Sequence, residues 1–290
     1  MARVGHLMAN LQQQQVLAKA PMEIANIVIR DIEGQAEIRA IEELQKEVWG
    51  LPDLDVVPLS HLVAVQAAGG VLVGAFDVEI LVGFIYGFLA YEKGQAAHHS
   101  HMLAVKPAYR NLDLGRRLKF AQRDRVVAQG INFITWTFDP LQSLNAYFNF
   151  KKLGVVADRY LINFYGEDAA SFLHRNGTDR LWVTWPLQKS NQIDFDLVLE
   201  KPIPLVQVGA ASTPARNSLE EALSKEQAFI EIPSNINELQ QGNNFLAWEW
   251  REATRWAFTS ALDAGYTVVD FARHTRDDHQ VGRYLLTRVR

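Results

Sequence analysis

Apolar and polar positions change period repeatedly along the chain, and each change marks an element. Asn26 to Asp31 alternates and predicts a short strand. Ile38, Ile41, Leu44 and Val48 then recur at the spacing of one helical face. They predict a helix from Ile32 to Trp49, stopped by Gly50-Leu51-Pro52-Asp53. Val71 to Phe76 and Ile80 to Ala90 read as two strands around a turn at Asp77-Val78-Glu79, and Ala97 to Val105 as a third, ended by Lys106-Pro107. An amphipathic helix is predicted from Leu114 to Gln129, with Leu114, Leu118 and Ala121 inward, Arg116, Lys119 and Arg123 outward, and Gly130 closing it. A strand at Asn132 to Thr137, a helix at Leu141 to Leu153, and strands at Val155 to Tyr165 and Leu181 to Trp185 follow.

That order predicts an α/β chain of the α+β kind, with a mixed sheet and helices packed on it. After Leu187 the pattern shifts. Pro202 to Ser218 is rich in proline, alanine and serine and reads as a linker or long loop. Beyond it come a strand at Phe229 to Ile232, a helix from Asn237 to Ala264 broken near Gly242, and strands at Tyr266 to Arg273 and Gly282 to Val289. The expected division is a flexible N-terminal extension at 1–23, a main domain at 24–188 and a smaller α+β appendage at 189–290. No repeat of about 20–50 residues is visible.

Composition narrows the function. Hydrophobic residues make up 48% and charged residues 21%, so a packed core is feasible. The formal charge of −4 argues against a general nucleic-acid surface. The absence of cysteine excludes disulfides, thiolate metal sites and a cysteine nucleophile. No apolar run reaches the roughly 18–20 residues that cross a bilayer, because Asp77 and Glu79 interrupt the nearest one. The expected setting is cytoplasmic, with neither nucleic acid nor membrane as partner. Among the C-terminal aromatics, Trp248, Trp250 and Trp256 read first as core, and otherwise as a cleft wall or the contact of a homodimer.

The segment from Met102 to Leu118, MLAVKPAYRNLDLGRRL, carries the most chemistry. A strand runs into a proline and a tight polar turn, and a helix begins near Leu114. Amides at such a helix start lack internal partners and lie at the positive end of the macrodipole, which suits a diphosphate. Gly115 would allow close approach, and Arg110, Arg116 and Arg117 would add charge-assisted contacts. The plainer reading is an ordinary strand–turn–helix connection with a cationic surface.

The run from Leu103 to Arg110, followed by Gly115, resembles motif A of the GNAT acetyltransferases: a strand ending in apolar-x-Val-x-Pro-x-Tyr/Phe-Arg, then Arg/Gln-x-x-Gly-x-Gly/Ala. Arg110 and Gly115 match, and Asp113 stands in the place of the first glycine. The resemblance, over about Ile27 to Leu187, implies a GNAT-like N-acyltransferase fold using acetyl-CoA or succinyl-CoA and no metal. It implies that Leu103, Ala104 and Val105 bind the pantetheine arm as an added strand. The amides of Arg110, Asn111, Leu112, Asp113, Leu114, Gly115 and Arg116 would then hold the diphosphate. Asn145 to Gly154 resembles the family helix ending Tyr-x-x-x-Gly, with Asn145 and Phe148 expected at the cofactor. Phe150 stands where relatives carry a tyrosine that protonates the departing thiolate, leaving Tyr147, Asn149 or water for that step. Trp136 to Gln142 and Asn163 to Glu167 resemble a bacterial subgroup of predicted acetyltransferases, some linked to N-succinylation of amino acids.

His98-His99-Ser100-His101 lies on the strand before the turn, and alternation puts His99 and His101 on one face. Histidine suits the removal of a proton from an attacking amine and would make activity rise through a near-neutral pKa. The arrangement resembles that of aralkylamine N-acetyltransferases, which carry two imidazoles in a similar register. A structural role, or adventitious metal binding, stays open beside it. The expected reaction is acyl transfer from acyl-CoA to a small-molecule amine. The rival is an acyl-CoA-binding module without catalysis. Asp139 and Glu167 are the nearest acidic residues, and a turn-capping role is the default for Asp139.

Overall fold

The computed structural model describes residues 27–166, 176–187, 204–276 and 279–288. The expected extension at 1–23, Asn26, Glu167 and the 188/189 boundary fall outside them. Twelve strands form one sheet in the order β1-β2-β3-β4-β5-β7-β6-β11-β12-β10-β8-β9. The N-terminal part comprises β1 (Ile27–Asp31), α1 (Gly34–Trp49), α2 (Leu59–Ala67), β2 (Val71–Asp77), β3 (Ile80–Glu92) and β4 (Gln95–Val105). A 3₁₀ turn (Pro107–Leu112), α3 (Leu114–Ala128), β5 (Phe133–Phe138), α4 (Ser143–Ala146), β6 (Val156–Leu161) and β7 (Arg180–Pro186) follow. The remainder comprises β8 (Pro204–Val208), β9 (Pro214–Arg216), α5 (Leu219–Ala222), β10 (Gln227–Pro233), α6 (Ile236–Gly242), α7 (Asn244–Asp263), β11 (Tyr266–Arg276) and β12 (His279–Arg288).

Most neighbouring strands are antiparallel; β4–β5 and β8–β10 are parallel. The two halves of the sheet meet at β6 and β11, through the pair Ala157–Val268. A hydrophobic cluster runs across both halves beneath α3, α4 and α7, from Ile85 and Leu118 through Phe138 and Phe150 to Phe258 and Tyr284. A second cluster lies on the opposite face, where Ile38, Ile41 and Leu44 of α1 and Leu62 of α2 pack on β2 to β4.

Local chemistry explains where sequence pattern and structure differ. Helix α2 has apolar residues all round and buries only Leu62, so it lacks the stripe that marks a helix. The predicted linker instead carries β8 and β9. Pro204 and Pro214 open these two strands, where a missing N–H is tolerated. The predicted helix at Leu141 to Leu153 is α-helical only over Ser143–Ala146 and continues as a π-helix from Tyr147 to Leu153. The break in the C-terminal helix lies at Asn243, whose side chain accepts from the Leu246 amide at 3.1 Å and so caps α7.

Candidate active site

Strands β4 and β5 pair at only two rungs, His98–Ile134 and His99–Thr135, and then part. Beyond them β4 runs on to Val105 held by β3. The Lys106 amide donates to Val82 O at 2.9 Å. Alternation from that bond turns the main-chain groups of Ala104 toward β3 and those of Leu103 and Val105 into the gap. The register slips between Tyr86 and Gly87, which face Met102 and Ser100, so His101 is the extra residue of a β-bulge.

The gap leads to the polar turn. Asp113 adopts φ 53° and ψ 22°, left-handed values that aspartate tolerates better than most residues, and α3 starts at the next residue. The Asp113 side chain does not cap that helix start. Instead the Asp113 carboxylate turns outward, 3.6 Å from Arg116 and 3.9 Å from Lys152. Arg110, Asn111, Asp113, Arg116 and Lys152 line a cleft of about 660 Å³. Three cations against one carboxylate leave it electropositive. Arg110 reaches back to Val105 O at 3.4 Å, bridging cleft and gap. The side chain of Leu114 is buried, whereas Leu103 lies beside Gly115, 3.6 Å from where a Cβ would stand. Arg117 does not join the cleft; it donates to Ile27 O at 2.9 Å. Lys152 is the addition that sequence spacing missed, because it comes from the π-helix.

His99 and His101 share a face, with ring centroids 6.3 Å apart. They belong to a belt of rings that starts at His61 on α2, whose Nε2 lies 2.8 Å from the Tyr86 hydroxyl. Tyr86 meets His101 at 5.7 Å, and Phe88 meets His101 at 5.8 Å and His99 at 5.4 Å. Trp182 of β7 closes the row 5.0 Å from His99, with Arg159 over its ring at 4.4 Å and paired to Glu92. His99 Nδ1 is 3.1 Å from Thr135 Oγ1, across the last rung before the strands part. His61, Phe88 and Trp182 were missed by sequence reasoning, because they come from a helix and two strands that meet only in the fold.

Burial, reinforced by the neighbouring imidazole of His101, lowers the pKa of His99 to about 4. His101 is exposed at its outer edge, yet packing of the ring among its neighbours lowers its pKa too, with His61 adding to the effect. The His99 ring is therefore neutral near pH 7, and its inflection moves to the acid side of the near-neutral one expected from sequence.

On the opposite face of β4, His98 and Ser100 meet α3. Lys119, expected outward, is buried, with Nζ 2.9 Å from Ser100 Oγ and 3.5 Å above the Trp136 ring. Gln122 Nε2 lies 3.2 Å from His98 Nε2.

The π-helix brings Tyr147 and Phe148 to half-buried positions, and Asn145 on α4 is exposed. Phe150 is 3% exposed and packs edge-on against Phe138 and Tyr284, and Asn149 is buried beside it. Asp139 accepts from the Leu141 amide at 3.0 Å, the expected turn-capping role, and also from Arg251 Nη2 at 2.8 Å.

No family model matches the chain, and no curated protein matches it. Solved structures with a similar course include a ribosomal-protein-alanine N-acetyltransferase from Escherichia coli, with 13% identity, a TM-score of 0.46, and coverage of 58% of this chain and 97% of that one. An aminoglycoside 6'-N-acetyltransferase from Enterococcus faecium is similar at 19% identity and a TM-score of 0.43, over 55% of this chain and 97% of its own. A GNAT-family acetyltransferase from Desulfovibrio desulfuricans is similar at 14% identity and a TM-score of 0.46, over 56% and 99%.

Proposed function

We propose that this chain is a CoA-dependent N-acyltransferase that moves an acetyl or succinyl group from acyl-CoA directly to the amine of a small molecule in the cytoplasm. One observation carries the reading: after His99 the strands part, and the gap faced by Leu103 and Val105 runs on to the uncapped start of α3. A pantetheine arm is a chain of amides and can bond to that edge as an added strand. Its diphosphate would meet the first amides of α3, with Arg110, Arg116 and Lys152 around it. In this reading the described residues between Ile27 and Leu187 hold the donor, and those from Pro204 onward brace the same core.

The chemistry needs little else. A gap-facing amide near Leu103 donates to the thioester oxygen and polarises the carbonyl. The neutral amine attacks the carbonyl carbon, a C–N bond forms, and the carbonyl electron pair moves to oxygen. The nitrogen of that intermediate is far more acidic than a free ammonium, so a weakly basic neutral imidazole, His99 or His101, suffices to take its proton. The oxyanion's electron pair then re-forms the C=O bond as the C–S bond breaks with its own pair on sulfur, which takes a proton from Tyr147 or water.

Two features favour a second reading, an acyl-CoA sensor without turnover: a carboxylate at the phosphate cleft, Asp113, and a core phenylalanine, Phe150, where a proton donor is expected. Incubation with acetyl-CoA or succinyl-CoA and an amine panel, following free thiol and the mass of the acylated product, separates them. Turnover supports the transferase. Binding without turnover supports the sensor, and no affinity for any CoA species removes both.

A further inference from the structure

The acyl-transfer chemistry makes no use of Lys119, yet this lysine sits at 4% exposure in the interior of α3. Burial without a carboxylate partner among the described residues is costly for an ammonium group, and it drives the pKa of Lys119 well below the ordinary lysine range. A methionine of similar length would occupy an apolar pocket at lower cost. A polar group kept in such a place, at a site of strand irregularity, points to a role other than packing.

Its location is specific. Ser100 is the first residue of β4 past the last rung with β5, and Trp136 follows Thr135, the β5 residue of that rung. Lys119 Nζ donates to Ser100 Oγ at 2.9 Å and lies 3.5 Å over the Trp136 ring. It therefore touches both arms of the parting strands at their vertex. One turn along α3, Gln122 reaches His98, the β4 residue of the rung before. On the other side β3 supplies Gly87, where a Cβ would stand 2.3 Å from His98 Nε2 and 2.7 Å from His99 O. Polar contacts from α3 and a glycine on β3 thus hold the stretch of β4 that immediately precedes the bulged His101.

We propose that Lys119 is a positioning residue: it pins the vertex where β4 leaves β5, and so sets the distance between the gap-facing amides and the imidazoles of His99 and His101. The inference rests on the acyl-transfer reading. The donor's diphosphate end lies at the far end of β4, so loss of the pin should disturb the reacting end while leaving donor binding in place.

The test is Lys119→Met, measured for acyl-CoA Kd, kcat and Tm beside the wild-type protein. The expected result is an unchanged Kd, an equal or higher Tm, and a kcat lowered by about 10- to 100-fold, the scale of a misplacement near 1 Å. Lys119→Gln, which keeps an N–H donor for Ser100, should recover part of the rate. A wild-type kcat in Lys119→Met overturns the proposal, as does a rate loss accompanied by equal losses of Kd and Tm. Should Lys119→Met fail to fold, Ser100→Ala removes only the acceptor. A lowered kcat at constant Kd then supports the pin, and an unchanged kcat overturns it. A wild-type protein that lacks affinity for acyl-CoA, or binds it without turnover, would remove the acyl-transfer reading itself, which the wild-type Kd and kcat reveal separately from the variants.

Discussion

The ring of Phe150 meets the ring of Tyr284 edge-on, at 5.7 Å between centroids. This contact joins the π-helix of the N-terminal part to β12 of the C-terminal part, and Tyr284 in turn donates to Pro140 O at 2.7 Å. Position 150 is thus committed to the core. Restoring a tyrosine there should not restore a proton donor. Phe150→Tyr is expected to place a hydroxyl against Phe138 and Tyr284, costing about 1–3 kcal/mol if it stays unpaired. Thermal denaturation should show a lower Tm, and kcat should not rise. A gain in kcat would mean that position 150 reaches the thiolate after all.

Gly115 offers a clean probe of the donor cleft. A Cβ there would meet only Leu103, at an ordinary 3.6 Å, so the backbone at this position has room to carry a side chain. Replacing a helical glycine also favours the helix by up to about 1 kcal/mol. Gly115→Leu should therefore keep or raise Tm while crowding the amides that face the diphosphate. Calorimetric titration with acetyl-CoA is expected to show at least about tenfold weaker binding. Unaltered affinity would move the diphosphate away from this turn.

Asp113 is the acidic exception in a cationic cleft. Its left-handed backbone suits glycine at no steric cost, and its ion pairs with Arg116 and Lys152 are exposed and long, so they add little stability. Asp113→Gly should free both cations for the donor and tighten acyl-CoA binding several-fold at low salt, with the gain shrinking as salt rises. Tm should change little. Weaker binding in this variant would show that the carboxylate orients Arg116 and Lys152 productively.

The strand pattern from Val71 to Val105 and the turn after Pro107 were legible because alternation, proline and a helix start are local signals. The face shared by His99 and His101 followed from alternation too, although the bulge that makes His101 the extra residue did not. What remained hidden depends on partners distant in sequence. Lys119 reads as an exposed cation on α3 until Ser100 and Trp136 close over it. Lys152 joins the phosphate cleft only because the π-helix turns it there. Asp139 reads as a turn cap, and nothing near it announces Arg251, whose long-range bond ties α7 to the end of β5. The role of Phe150 likewise required Tyr284, which lies 134 positions on in the chain.

The buried imidazoles make pH a test of both stability and mechanism. Burial, assisted by Lys119 and His99, lowers the pKa of His98 to about 3, and that of His99 falls to about 4. Unfolded, both would titrate near 6.5. In the window between, the unfolded chain binds protons that the folded chain refuses, so stability rises with pH there. It is fully present above about 6.5 and is lost as pH falls toward 4 and 3, at about 1.4 kcal/mol per pH unit for the fully buried His98. Denaturant titrations at pH 7, 6 and 5 should show this slope, and His98→Asn should flatten it. Catalysis should respond differently. With His99 already neutral, kcat/KM at saturating donor should show no inflection near 6.5 from that ring, and its rise with pH should follow the pKa of the amine itself. The single variants His99→Ala and His101→Ala should lower kcat without moving that curve. An inflection near 6.5 that disappears with His99→Ala would return that imidazole to solvent and make it an ordinary base.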